Sequence, residues 1–64
     1  MEKYPYRVVF LHGSVVAEVI VESENDDENE DVLIFAGRTI LEDRFGVDNK
    51  FFNGWDAEAE GPLL

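Results

Sequence analysis

The sequence predicts one small α+β domain of order β-β-α-β, an antiparallel hairpin and a third strand packed on one helix. Three observations carry this. Two runs rich in β-branched and aromatic residues flank His12-Gly13-Ser14. An acidic run leads into an apolar stretch that ends at Gly46. A last segment, Trp55-Asp56-Ala57-Glu58-Ala59-Glu60, alternates apolar and acidic residues.

The first strand is expected over residues 4–11 and the second over 15–22. A two-residue loop at His12-Gly13 would pair Leu11 with Ser14. Tyr4, Tyr6, Val8 and Phe10 then face Val21, Val19, Ala17 and Val15 on one side of the sheet. The other side sets Arg7 opposite Glu18 and Lys3 opposite Glu22, and such pairs are worth up to about 1 kcal/mol each. A loop at Gly13-Ser14 keeps the core face but sets Arg7 against Ile20, so the first register is favoured. Pro5 has no N–H to give a ladder, which predicts an open edge near the start of the first strand.

The helix is expected over residues 26–45, about five turns. Ser23 or Asn25 would cap it, because a short side-chain oxygen accepts from the free N–H groups of the first turn. Seven carboxylates fall in the ten residues from Glu22 to Asp31. Those in the first turn would meet the positive end of the helix dipole. Gly46 suits a left-handed cap at the other end. Leu33, Ala36, Gly37, Ile40 and Arg44 share one stripe, with Leu41 at its margin. Gly37 would allow close approach to the sheet, and Arg44 would have to snorkel. A competing reading makes residues 32–36 a strand, with a capping box at Thr39-Ile40-Leu41-Glu42 opening a short helix. The third strand is expected over residues 55–60, with Trp55, Ala57 and Ala59 inward. Gly61-Pro62 ends it, and residues 61–64 form a short tail of the single domain, 1–64.

Charge and size bound the function. Fifteen acids against five bases give a formal net charge of −10. Phosphates of nucleic acids and anionic membranes repel such a surface, so direct nucleic-acid or membrane binding is not expected. A basic protein is the natural complement, although acidity also serves solubility. No apolar stretch reaches the roughly 20 residues of a membrane span, and the start lacks a signal-peptide core. The expected location is the cytoplasm, or the host cytoplasm if a phage encodes the chain. With no cysteine, a disulfide framework and a thiolate metal site are both absent.

Catalytic and cofactor motifs are missing. His12 and Ser14 have no third group to orient them, and a hairpin turn holds such geometry poorly. His12 is therefore assigned to the turn. A calcium loop starting at Asp26 would need Gly at its sixth position and Glu at its twelfth. Those positions hold Asp31 and Gly37. No enzyme activity, cofactor or metal is expected.

The hairpin over 6–21, the acid-led helix over 26–45 and the closing 55–60 give a layout that resembles small orphan proteins of bacteriophages. That group includes short inhibitors of host RNA polymerase. The resemblance spans most of the chain in layout alone, and it implies a role in binding a host protein.

Two functions follow as expectations. The first is an acidic protein-binding module that inhibits a basic or nucleic-acid-binding host protein, imitating DNA. Its contact surface would be Asp26, Asp27, Glu28, Glu30, Asp31, Glu58 and Glu60. The second is a structural, self-assembling homodimer. Its interface would be Val9, Val16, Ile20, Phe35 and Phe52, because one helix covers only one sheet face and exposed apolar clusters mark interfaces.

Overall fold

The computed structural model describes residues 2–48 and 50–63. Strand β1 (Tyr4–His12), strand β2 (Val15–Ser23), helix α1 (Glu30–Phe45) and strand β3 (Asp56–Glu60) follow one another along the chain. The three strands form one antiparallel sheet in the order β2-β1-β3, and α1 lies across one face. This is the α+β layout expected from the sequence.

Alternation decides the core. Tyr6, Val8 and Phe10 of β1 and Val19 and Val21 of β2 point toward the helix and are buried. Leu33, Gly37 and Leu41 of α1 meet them. The stripe is turned slightly from the expected one: Ala36 and Ile40 are half-buried, and Arg44 is exposed. Arg44 lies one turn past the sheet contact and does not have to snorkel. Residues 32–36 belong to α1, so the alternative of a strand there does not hold.

The hairpin register differs from the favoured one. His12 pairs with Val15 around a Gly13-Ser14 loop, and Arg7 stands opposite Ile20. Gly13 has φ of 63°, and among the described residues no non-glycine residue has positive φ. A two-residue loop with a positive φ at its first position only is of the II′ kind, which takes Gly there. A loop at His12-Gly13 would place His12 at that strained first position. Turn chemistry therefore outweighs an exposed ion pair. Arg7 still finds an acid, because β3 delivers Glu60 to the same row. Pro5 stands opposite Glu22, the place expected for Lys3.

The β3 ladder spans Arg7–Leu11 and leaves Pro5 beyond its end, as its missing N–H predicts. There the Pro5 carbonyl accepts from the Leu63 N–H at 2.9 Å, after a cis Gly61-Pro62 bond.

The helix starts at Glu30, later than expected. Asn29 is the N-cap, and its side chain accepts from the Asp31 N–H at 2.8 Å. Ser23 and Asn25 shape the preceding loop instead. The Ser23 hydroxyl donates to Glu28 Oε1 at 2.7 Å and accepts from the Asn25 N–H at 3.0 Å. The Tyr6 hydroxyl pins this loop: it donates to the Asn25 carbonyl at 2.8 Å and accepts from the Glu28 N–H at 3.2 Å. At the other end Gly46 has φ of 68°, and its N–H donates to the Glu42 carbonyl. That is the expected left-handed cap.

The connection from α1 to β3 closes the core. Phe52 is buried, with its ring centroid 5.1 Å from Phe10, 5.0 Å from Phe51 and 4.9 Å from Trp55. Trp55 precedes β3 and stacks on His12 at 5.2 Å.

Candidate protein-interaction surfaces

The face of the sheet away from α1 carries three rows of side chains. Arg7 stands between Ile20 and Glu60, Val9 between Glu18 and Glu58, and Leu11 between Val16 and Asp56. Among the described residues no element covers this face. Val16 and Ile20 are exposed at 58% and 50%, while Val9 and Leu11 on the central strand are half-buried. The apolar centre is flanked by Glu18 and Glu22 on β2 and by Asp56, Glu58 and Glu60 on β3. The one base in these rows, Arg7, is held by Glu60 Oε1 at 2.6 Å. Both partners are well exposed, so the pair adds at most about 1 kcal/mol. Its larger effect is to cancel the only positive charge in the rows, leaving the face negative.

The seven candidate acids do not form one patch. Glu58 and Glu60 lie on the open sheet face. Asp26 and Asp27 are exposed in the turn before α1, and Asp31 is exposed in its first turn. Three of the seven have structural partners: Glu60 holds Arg7, and Glu28 and Glu30 are bonded within the fold. Glu28 accepts from Ser23, Asn25 and the Asn29 N–H, and these bonds hold its carboxyl below the ordinary range. Glu30 Oε2 accepts from the Ala59 N–H at 3.3 Å and so covers part of the β3 edge. The surface that folding assembles instead includes Glu18 and Asp56, which lie outside the linear acidic run, together with Glu22, its first residue. Strand alternation was the signal for them, because it puts these acids on the face opposite the core.

The expected apolar interface also divides. Val9, Val16 and Ile20 share the open sheet face. Phe35, 63% exposed, stands on α1 on the opposite side of the molecule. Phe52 belongs to the core and is unavailable to a partner. Beside Phe35 runs an open apolar groove of about 620 Å³, lined by Asp31, Val32, Phe35, Ala36, Thr39 and Ile40. Among the described residues no three potential metal ligands are grouped, and no helix is long and apolar enough to cross a membrane.

The chain matches no protein-family model, and neither a curated protein nor a solved structure is significantly similar to it.

Proposed function

We propose that the protein is a binding module for a basic partner protein, which it engages through the open face of its sheet. The observation that carries this reading is the pattern on that face: an uncovered apolar centre, Val9-Leu11-Val16-Ile20, bordered on both outer strands by carboxylates. An apolar centre within a charged rim is the usual anatomy of a protein interface. The rim favours a basic partner, because a basic ring would meet Glu18 and Glu22 on one side and Asp56 and Glu58 on the other. A net charge of −10 steers such a partner inward and turns nucleic acid away. The acids in the turn before α1 extend the negative field beyond the face. A nucleic-acid-binding protein whose basic surface the module occupies would be inhibited, as an inhibitor of the phage type would do. The module works by occupation and needs no catalytic group, cofactor or metal.

The reading is tested by titrating the protein against basic DNA-binding domains and against neutral proteins of similar size. The basic domains should bind, and Val9→Ser and Glu58→Gln should each weaken binding about tenfold. Duplex DNA should compete. Equal binding to neutral proteins, or affinities untouched by both substitutions, would remove the open face from the account. Mass spectrometry of proteins retained from the native host would then identify the partner.

A further inference from the structure

We propose that two copies of the chain pair along their β2 strands about a two-fold axis. The product is one six-stranded sheet with both helices on the same face. This inference is independent of the partner reading above, since it uses the edge of the sheet and the flank of α1 and leaves the open face free.

The two sheet edges are treated differently. On β3, the outward N–H of Ala59 is taken by Glu30. On β2, no described residue does the same. Pro5 directs its carbonyl away from β2, toward Leu63. Main-chain direction alternates along a strand, so the odd-numbered residues of β1 face β3 and the even-numbered ones face β2. Their β2 partners Val15, Ala17, Val19, Val21 and Ser23 are thereby used within the hairpin. Val16, Glu18, Ile20 and Glu22 present their N–H and C=O groups outward. Among the described residues no hydrogen bond reaches them. A nine-residue edge left open in this way is a template for another strand.

Charge selects the register. Antiparallel pairing must match outward groups with outward groups, so even residues oppose even residues. Centring the axis on Glu18 sets Glu18 against its own copy. Centring it on Ile20 sets Glu18 against Glu22 of the second copy, twice. Centring it on Val19 sets Glu18 against Ile20 and Val16 against Glu22, and no carboxylates stand directly opposed. This register engages almost the whole strand, with roughly eight main-chain hydrogen bonds.

The helix position supplies the third argument. Strands β2 and β3 are parallel to each other and joined through α1, a crossover that is right-handed in nearly all proteins. That hand turns the Val32-Ala36-Ile40 flank of α1, and the groove beside it, toward the β2 side. A two-fold axis perpendicular to the sheet then makes the two grooves face each other. A Cβ at Gly37 would lie 3.0 Å from Val8 and 3.2 Å from Val19, so the middle of α1, level with the proposed axis, sits above β1 and β2. The proposed axis runs about 2.4 Å outside β2, half a strand spacing. At the level of Gly37 the two helix axes are then about 10 Å apart, within the range of packed helices. Pairing of the edges thus brings Val32, Ala36 and Ile40 of each copy into helix–helix contact, with Phe35 at the rim.

Analytical ultracentrifugation of the full chain tests this. The wild type should sediment as a dimer at about 100 μM and dissociate on dilution. Val16→Lys places an ammonium opposite Glu22 of the second copy and should tighten the dimer about fivefold. Val16→Glu opposes two carboxylates there and should weaken it by a similar factor. Val32→Glu, on the helix flank, should weaken it more than tenfold. Val16 and Val32 are 58% and 54% exposed, and circular dichroism of each variant should match the wild type. A wild type that stays monomeric at about 500 μM overturns the proposal. So do Val16 variants that shift affinity in the same direction, which would indicate apolar contact at another surface, or a Val32→Glu dimer of unchanged strength.

Discussion

At Gly37 the spacing of α1 from the sheet is set by a missing atom. A Cβ there would meet Val8 Cγ1 at 3.0 Å, Val8 Cβ at 3.1 Å and Val19 Cγ1 at 3.2 Å. Val8 is fully buried and both neighbours are β-branched, so neither can rotate away. Alanine is the better helix former by about 1 kcal/mol. Overpacking a closed core costs about 1–3 kcal/mol. The second term should win, because the clash falls on stiff side chains rather than on a flexible tip. Gly37→Ala is expected to lower stability by about 1 kcal/mol in urea unfolding, and Gly37→Val by more. An Ala variant more stable than the wild type would mean that α1 can lift from the sheet at little cost. Phe52 shows the complementary case. Its ring fills the end of the core from a loop, where no periodic pattern announces burial. Its role was hidden in the sequence, whereas Gly37 announced itself by lying in an apolar stripe.

Among the elements, the segment between β2 and α1 is the one most dependent on distant residues. Its hydrogen bonds converge on Glu28, from Ser23, Asn25 and the Asn29 N–H, and on the Tyr6 hydroxyl of β1. The bonds from Ser23 first, then Asn25 and Asn29, hold the Glu28 carboxyl below its ordinary value of 4.5. A carboxylate lowered in the folded state contributes stability that is fully present above the unfolded value. That contribution is lost as pH falls through the lower folded value. The wild type should therefore lose melting temperature more steeply than Glu28→Gln as pH drops below about 4.5. The two chains should converge once Glu28 is protonated. Parallel melting profiles across this range would show that the loop does not depend on the charge. The same loop explains what was legible beforehand. Strand positions, the α1 C-cap at Gly46 and the inward face of β3 follow from local pattern, and all three are found. The start of α1 is not local, because Tyr6 anchors Asn25 and Glu28 from another strand and delays the helix to Asn29. The hairpin register was obscured for a related reason. Arg7 was matched to the nearest acid on β2, while its partner Glu60 lies 53 residues away in sequence.

For the molecule as a whole, the balance between acids and fold is the property most open to measurement. Fifteen acids share a chain whose radius of gyration is 11.7 Å. Glu30 and Asp31 gain from the helix dipole, about 0.3–1 kcal/mol each. Glu60, Glu28 and Glu30 have partners in the fold. Asp26, Asp27, Asp56 and Glu58 are exposed, and among the described residues no hydrogen bond or ion pair reaches their carboxylates. Compaction brings these unpaired charges together, so they oppose folding. Added salt screens them and should raise the melting temperature of the free protein. Measured at one low protein concentration, this rise reports on the monomer rather than on self-association. In a complex with a basic partner the same carboxylates are attractive, and salt should weaken binding. The combined variant Asp26→Asn, Asp27→Asn, Asp56→Asn, Glu58→Gln separates the two effects without touching the Arg7–Glu60 pair or the Glu28 loop. It should melt at or above the wild-type temperature and show a smaller response to salt. Its affinity for a basic DNA-binding domain should fall by an order of magnitude or more if the carboxylate rim selects the partner. A variant that melts higher yet binds as tightly as the wild type would confine these acids to solubility and leave recognition to the apolar centre of the sheet.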